Sequence, residues 1–314
     1  MIIETVGLAK RYGRTDALVD LTMAVDEGEV FGFLGPNGAG KTTAVKLLLG
    51  LARPSRGSGR VLGAPLGDRI ARRRIGYLPE LFRYQPWLAA REVLELHDRL
   101  LGGPPIEASD IDRALDEVGL LGRAGDRVGG FSKGMQQRLG LAVALLGSPE
   151  LVVLDEPTSA LDPAGRADVR TIIRRARERG ATIFLNSHLL TEVERVCDRV
   201  AIVDRGRVLA SGRLDDVLGE NAVRIRARGL PAEALASLGR FGRLVVGEEG
   251  WLAFRGLGDA MIPDIVAAIV AAGGRVHAVE PGRATLEDRF LELVGRRSGD
   301  GAGGDVPAAD EGAV

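Results

Sequence analysis

Hydrophobic and polar positions in residues 1 to about 220 follow a pattern that predicts an α/β domain. Short apolar runs, typical of buried strands, alternate with longer stretches that have helical spacing of apolar residues. The apolar runs predict strands at Val30–Leu34, Ile75–Leu78, Leu151–Leu154, Thr182–Asn186 and Val200–Val203. The longer stretches predict helices at Lys41–Ala52, Ala89–Leu101 and Ala164–Arg179.

Three parts of the chain depart from this alternation. Residues from about 87 to 147 are mostly helical and predict a helical insert within the α/β domain. Residues 221–297 predict a small α+β domain of order β-α-β-β-α-β, the ferredoxin-like arrangement, with one further helix. Its predicted elements are Ala222–Ala227, Ala232–Leu238, Leu244–Val246, Trp251–Arg255, Asp259–Ala272, Arg275–Val279 and Thr285–Val294. Residues 298–314 are mostly Gly, Ala and Asp, and predict a disordered tail.

Composition and charge exclude several kinds of protein. The formal net charge of -1 gives no general attraction for nucleic acid or anionic lipid, so no nucleic-acid partner is expected. The single cysteine, Cys197, excludes an internal disulfide framework and a cysteine-rich zinc site. No apolar stretch approaches the ~18–20 residues that span a bilayer, and the first residues do not resemble a signal peptide.

The segment GPNGAGKTT fits the phosphate-binding pattern G-x-x-x-x-G-K-[ST]. It lies between a predicted strand and a predicted helix, so its backbone N–H groups and the helix N-terminus face a bound phosphate. The lysine supplies an ammonium to the β- and γ-phosphates, and the following threonine offers a hydroxyl to Mg²⁺. The predicted nucleotide-binding residues here are Gly35, Pro36, Asn37, Gly38, Ala39, Gly40, Lys41, Thr42 and Thr43.

Two carboxylates follow a buried strand in the segment LVVLDE. The carboxyl ends of strands in open α/β sheets are where ligands bind, so Asp155 and Glu156 are expected beside the nucleotide. Asp155 is predicted to hold Mg²⁺. Glu156 then has no metal to bind and is predicted to polarise the attacking water as general base.

Three further segments carry candidate functional residues. FSKGM precedes a helical run and places Ser132, Lys133, Gly134 and Met135 at a helix start, a second geometry that binds anions. SALD, which includes Asp162, follows the acidic pair. His188 lies after the next predicted strand, where an imidazole can reach a γ-phosphate. Two anion sites in one chain fit together if two chains pair head to tail, with the FSKGM of one facing the phosphate loop of the other.

Together, these segments resemble the nucleotide-binding subunit of an ATP-binding cassette (ABC) transporter, and they occur in the same order along the chain as in that family. The resemblance covers residues 1 to about 220 and implies a P-loop NTPase fold, with a RecA-like core, a β-rich N-terminal part and a helical subdomain. It implies ATP and Mg²⁺ as cofactors, FSKGM as the signature sequence and His188 as the switch histidine. Tyr12 matches the aromatic residue that stacks on adenine in this family.

The sequence departs from the family pattern at two places. The signature has Lys133 and Met135 where the commonest form has Gly and Gln. In GYLPE, Glu80 occupies the position of the usual Gln near Mg²⁺ and the attacking water, so it is a candidate for metal binding and for tuning hydrolysis. The GYLPE and FSKGM pair resembles a subgroup that serves mainly export systems with a separate membrane chain.

The leading functional hypothesis is an ATPase subunit that forms a homodimer around two ATP molecules and drives a separate permease, held at the cytoplasmic face of the membrane. One alternative is a soluble ABC-type ATPase of translation or DNA repair. The single phosphate loop and the lack of a long coiled-coil pattern argue against it. Another is a regulatory cassette in which residues 222–297 sense a ligand. The sequence does not identify the cargo.

Overall fold

Ten strands in the first 214 residues form one sheet, whose order is β5-β4-β1-β2-β10-β9-β3-β8-β7-β6. The strands are β1 Ile3–Tyr12, β2 Thr15–Val25, β3 Val30–Leu34, β4 Arg56–Val61, β5 Ala64–Pro65, β6 Ile75–Leu78, β7 Leu151–Asp155, β8 Thr182–Ser187, β9 Arg199–Asp204 and β10 Arg207–Arg213. Strands β9, β3, β8, β7 and β6 run parallel, whereas β5, β4, β1 and β2 pair antiparallel.

The computed structural model divides the chain into two units, Met1–Leu214 and Asp215–Val314. It describes residues 1–102, 105–159, 161–219, 222–247, 250–257, 259–282 and 285–299. The predicted disordered tail at 298–314 falls outside these residues, apart from Ser298 and Gly299, which end a helix. Within the described residues, no helix is long and apolar enough to cross a bilayer.

The parallel part of the first unit is buried on both faces. Every residue of β3, β7 and β8 is buried, which explains why these strands are continuous apolar runs rather than alternating ones. In the core, Phe31 stacks on Phe184, and Phe33 packs against Phe184 with its ring tilted by 34°. The helices of this unit are α1 Lys41–Leu48, α2 Arg69–Arg72, α3 Ala90–Leu101, α4 Ala108–Glu117, α5 Lys133–Leu145, α6 Pro163–Glu178 and α7 Leu190–Glu194. Helix α8, Leu214–Leu218, begins at the last residue of this unit.

The five strands predicted from apolar runs are present, each within one residue of its predicted ends. Helix α1 is shorter than predicted, because Gly50 takes a left-handed conformation (φ 66°) just after the helix and stops it before Ala52. Helices α3, α4 and α5 lie between β6 and β7 in the chain, where the sequence predicts a helical insert.

The second unit contains a four-stranded antiparallel sheet of order β12-β13-β11-β14. Its elements in chain order are β11 Ala222–Arg228, α9 Ala232–Leu238, β12 Arg243–Val246, β13 Trp251–Arg255, α10 Ile262–Ala271, β14 Arg275–Gly282 and α11 Leu286–Gly299. This is the ferredoxin-like arrangement. Residues Asp259–Met261, predicted as the start of a helix, form a 3₁₀ turn, and α10 begins after them with Pro263 in its first turn.

Helix α5 approaches β6 closely at Gly76. A Cβ at this position would lie 1.7 Å from the carbonyl oxygen of Ala144 and 3.0 Å from Pro149. No side chain fits there without displacing the helix backbone, so the glycine fixes how closely the helix packs on the strand.

We expect Gly76→Ala to destabilise the protein by about 2 kcal/mol, because overpacking of this kind forces the backbone to shift. Gly125→Ala is the matched control, since a Cβ there has no atom within 4 Å. Urea unfolding followed by circular dichroism measures both variants. Equal unfolding midpoints would show that α5 is free to move away from β6.

Candidate functional site

The phosphate loop joins β3 to α1. At two of its glycines, Gly35 and Gly40, there is no room for a side chain. A Cβ on Gly35 would lie 2.2 Å from the carbonyl oxygen of Val203, and one on Gly40 would lie 2.4 Å from that of Ala17. Gly40 also has φ 101°, which favours glycine. Because the first N–H groups of a helix have no intrahelical acceptor, those at the start of α1 are available to an anion.

A cavity of about 400 Å³ opens above this loop. It gathers residues from the loop, the start of α1, the hairpin of β1 and β2, and the carboxyl ends of β6, β7 and β8. The lining residues are Thr15, Asp16, Ala17, Pro36, Asn37, Gly38, Gly40, Lys41, Thr42, Thr43, Glu80, Asp155, Glu156, Asn186 and His188. The position agrees with the rule that open α/β sheets bind ligands at the carboxyl ends of their strands.

Lys41 is buried at the bottom of the cavity. Its Nζ donates to the carbonyl oxygen of Gly35 at 2.7 Å and lies 3.9 Å from Oε1 of Glu156. Burial lowers the pKa of Lys41, and the nearby carboxylates of Glu156, Asp155 and Glu80 oppose that shift. The loop thus holds the Lys41 ammonium in the cavity, where it can bind a phosphate.

The acidic pair ends β7 and is buried. Burial raises the pKa of Asp155, and the negative charges of Glu80 and Glu156 act in the same direction. A hydrogen bond from Asn186 Nδ2 to Asp155 Oδ1 opposes this rise. Glu156 has φ 53°, a left-handed conformation that is uncommon for a residue with a side chain and that occurs often at functional sites.

His188 follows β8 and reaches the acidic pair from one side. Its Nδ1 lies 2.8 Å from Oε2 of Glu156, but the contact lacks hydrogen-bond geometry. Oε2 of Glu156 is therefore a buried acceptor with no hydrogen-bond partner in the described part of the chain, and Oδ1 of Asn186 is a second one. Glu80, exposed at the end of β6, faces the same cavity.

The side-chain oxygens in this cavity are suitable ligands for a magnesium ion. Mg²⁺ prefers carboxylate and hydroxyl oxygens and usually binds one or two protein ligands together with substrate phosphates. Thr42, Asp155 and Glu80 supply such oxygens in one cavity. In the described residues no cluster of three His, Cys, Asp or Glu side chains could hold a metal ion.

Several predicted site residues lie away from the cavity wall. Tyr12 is half-exposed at the end of β1, opposite Thr15 in the hairpin, with the Lys10 ammonium 4.8 Å from its ring centre. Gly35 and Ala39 support the loop from beneath: the Gly35 carbonyl oxygen holds Lys41, and that of Ala39 accepts from Gly206 N.

The signature residues and Asp162 lie at two helix starts. The Ser132 hydroxyl caps α5 by accepting from Met135 N at 3.3 Å, and Lys133 beside it is exposed. Gly134 follows in the first turn. Asp162 caps α6 by accepting from Gly165 N at 2.8 Å. None of these residues lines the cavity of their own chain.

The sequence did not single out Asn186, nor Thr15, Asp16 and Ala17 of the hairpin, as site residues. For Asn186 a signal was present, since a polar side chain ends the otherwise apolar run TIFL, on the strand next to the acidic pair. The hairpin residues carry no such signal, because only the fold brings β2 to the loop.

Comparison with known proteins identifies the family. The family described as ABC transporter matches residues 18–159. An ABC transporter ATP-binding protein of Synechocystis is 39% identical over 307 residues, which cover 94% of this chain and 85% of the relative. The chain belongs to the ABC transporter ATP-binding proteins. It is an ATP-binding subunit of an ABC transporter, with an ATP-hydrolysing cassette.

Two further comparisons agree with this ABC family assignment. The Nod factor export ATP-binding protein I of Rhizobium etli is 35% identical over 304 residues, covering 94% of this chain and 93% of the relative. The solved structure of an ATP-binding subunit of an ABC transporter superposes with a TM-score of 0.63 at 34% identity. That superposition covers 69% of this chain and 92% of the other.

We expect Lys41→Ala to weaken ATP binding about tenfold or more, because a charge-assisted hydrogen bond to phosphate is lost. Lys46→Ala is the matched control, since Lys46 is exposed in the last turn of the same helix. Calorimetric titration with ATP measures both variants, and their melting temperatures show whether they fold. Unchanged affinity of the Lys41 variant would contradict the role given to this ammonium.

Proposed function

We propose that the chain forms a homodimer around two ATP molecules and that ATP hydrolysis powers a separate permease, in the direction of export. The observation that carries this proposal is the buried arrangement of Lys41, Asp155 and Glu156 above the phosphate loop, with Asn186 beside them. This arrangement places one ammonium and two carboxylates where a triphosphate meets the sheet. The dimer, the permease and the direction are supported by other features.

Each part of the nucleotide has a binding group in this proposal. The backbone of the loop from Pro36 to Thr43 surrounds the phosphates, and Lys41 binds the β- and γ-phosphates. Tyr12, half-exposed at the hairpin next to the cavity, stacks on adenine. His188 reaches the γ-phosphate from the end of β8.

Thr42, Asp155 and Glu80 would hold Mg²⁺ in the proposed complex, where the ion would supply positive charge against the phosphates. Glu156 accepts a proton from the attacking water. The water oxygen forms a bond to the γ-phosphorus, while the bond from this phosphorus to the oxygen bridging the β-phosphate breaks. ADP and inorganic phosphate are the products.

The homodimer is supported by the exposed helix start at Ser132, Lys133, Gly134 and Met135. The N-terminus of α5 carries a partial positive charge, and Ser132 and Lys133 there are exposed. Head-to-tail pairing would bring it to the γ-phosphate held by the partner's loop. Asp162, at the start of α6, would then approach the same shared nucleotide.

The permease is supported by apolar side chains that follow Glu80 in the chain. Leu81 is 89% exposed and Trp87 is 66% exposed, both shortly before helix α3. Large apolar groups at a protein surface mark places where partners bind. We infer that cytoplasmic helices of the permease bind here, which would hold the chain at the cytoplasmic face of the membrane. The export direction is supported by the relative named for Nod factor export.

We expect Glu156→Gln to lower the rate of ATP hydrolysis by about a hundredfold or more while ATP affinity stays within about threefold. The amide keeps the shape of the side chain but cannot accept the proton, and general-base catalysis contributes typically 10²–10⁴-fold. Phosphate release and calorimetric titration measure the two quantities. Glu27→Gln, at an exposed position, is the control. Hydrolysis at the wild-type rate would show that Glu156 is not the base.

The partner is tested by affinity purification from detergent-solubilised membranes. We expect a membrane protein with several apolar spans to co-purify in a fixed ratio, and Leu81→Asp to reduce its recovery severalfold, because a charge is placed in an apolar contact. Leu51→Asp, at another exposed apolar position, should leave recovery unchanged. Recovery with ribosomes or DNA, or of the chain alone, would contradict the transporter proposal and favour a soluble ATPase.

A further inference from the structure

Asn186 is a buried side chain to which neither the sequence motifs nor the proposed roles give a task. It is 1% exposed, lies in β8, and is the register partner of Asp155 on β7 and of Phe33 on β3. Its Nδ2 donates to Oδ1 of Asp155. An ionised carboxylate only accepts hydrogen bonds, so this contact fixes which way the amide of Asn186 points.

With its amide nitrogen turned to Asp155, Asn186 directs Oδ1 elsewhere, and this oxygen has no hydrogen-bond partner among the described residues. Phe33 and Phe184, which share its face of the sheet, form an apolar layer that offers no donor. A buried acceptor without a donor costs about 1–3 kcal/mol. The remaining side is the cavity above the phosphate loop, which Asn186 lines.

A second acceptor in the same cavity also lacks a hydrogen-bond donor. Oε2 of Glu156 is buried and accepts no hydrogen bond from the residues described, although His188 Nδ1 lies 2.8 Å from it without hydrogen-bond geometry. The two residues are tied together, since Glu156 N donates to the carbonyl oxygen of Asn186 at 2.9 Å. A water molecule has two O–H donors, which matches one acceptor on each of two residues that line the same cavity, and buried waters commonly satisfy polar groups of this kind.

We propose that Asn186 positions the attacking water, by accepting one of its hydrogens at Oδ1 while Glu156 accepts the other at Oε2. This inference rests on the proposed role of Glu156 as general base. With both hydrogens directed to the protein, the lone pairs of the water oxygen face the other way, toward the γ-phosphate. Asn186 is thus a positioning residue, because it orients the nucleophile and takes no proton.

The kinetic test uses Asn186→Leu, which keeps the side-chain volume and removes the acceptor. At saturating ATP and at a Mg²⁺ concentration that saturates the unchanged chain, we expect kcat of the variant to fall about tenfold or more, with KM for ATP within about threefold. Thr182→Val is the matched control, because it removes a buried polar group from the far end of the same strand, where Thr182 Oγ1 accepts from Gly28 N. We expect it to leave kcat within about twofold.

Two kinetic results would overturn the inference. One is a kcat of Asn186→Leu equal to that of the control. The other is a loss of kcat that higher Mg²⁺ concentration restores, because Asn186 would then act only through Asp155. The proposed function is tested separately: if Glu156→Gln abolishes hydrolysis and Asn186→Leu does not, only the positioning role fails.

A crystal structure of the unchanged chain at a resolution that shows ordered water tests the same point without a substitution. We expect one water within hydrogen-bond distance of both Asn186 Oδ1 and Glu156 Oε2. An empty position beside Asn186 Oδ1, or a protein donor in place of the water, would overturn the inference.

Discussion

The buried ammonium of Lys41 is the interaction on which the rest of the site depends. It is the one Lys or Arg side chain among the described residues that line the cavity, and it faces the carboxylates of Glu80, Asp155 and Glu156. One positive charge cannot balance three negative ones, and two of the three carboxylates, Asp155 and Glu156, are buried. The unbalanced charge makes the cavity a place for a cation, which Mg²⁺ supplies together with the nucleotide it accompanies. Binding of the two is therefore expected to be coupled.

Much of the first unit could be predicted from the sequence, because its central strands are buried on both faces. Such strands are continuous apolar runs, and Leu151–Leu154 is therefore visible without a structure. The loop at Gly35–Thr43 is equally visible, since its backbone conformation requires glycine at fixed places. The predicted end of α1 was wrong by a few residues, because the apolar pattern continues past Gly50 whereas the helical backbone conformation ends before it.

The parts of the site that the sequence did not predict depend on contacts between distant segments. Asn186 lies 31 residues from Asp155 in the chain, and its importance follows only from the pairing of β7 and β8. Asp16 reaches the cavity through a hairpin whose strands have no continuous apolar run. Neither distance nor orientation between such residues can be read from spacing along the chain, whereas a motif contained in one loop carries its geometry with it.

The close approach of Ala144 to Gly76 has a mechanical consequence. Nearer the start of α5, a Cβ on Gly140 would lie 2.7 Å from a side-chain atom of Leu78 and 2.8 Å from one of Phe82, so the helix packs on both sides of Glu80 in the chain. Because closely packed elements transmit displacement to one another, we expect a shift of the helix that begins after Ser132 to move the segment that carries Glu80 as well.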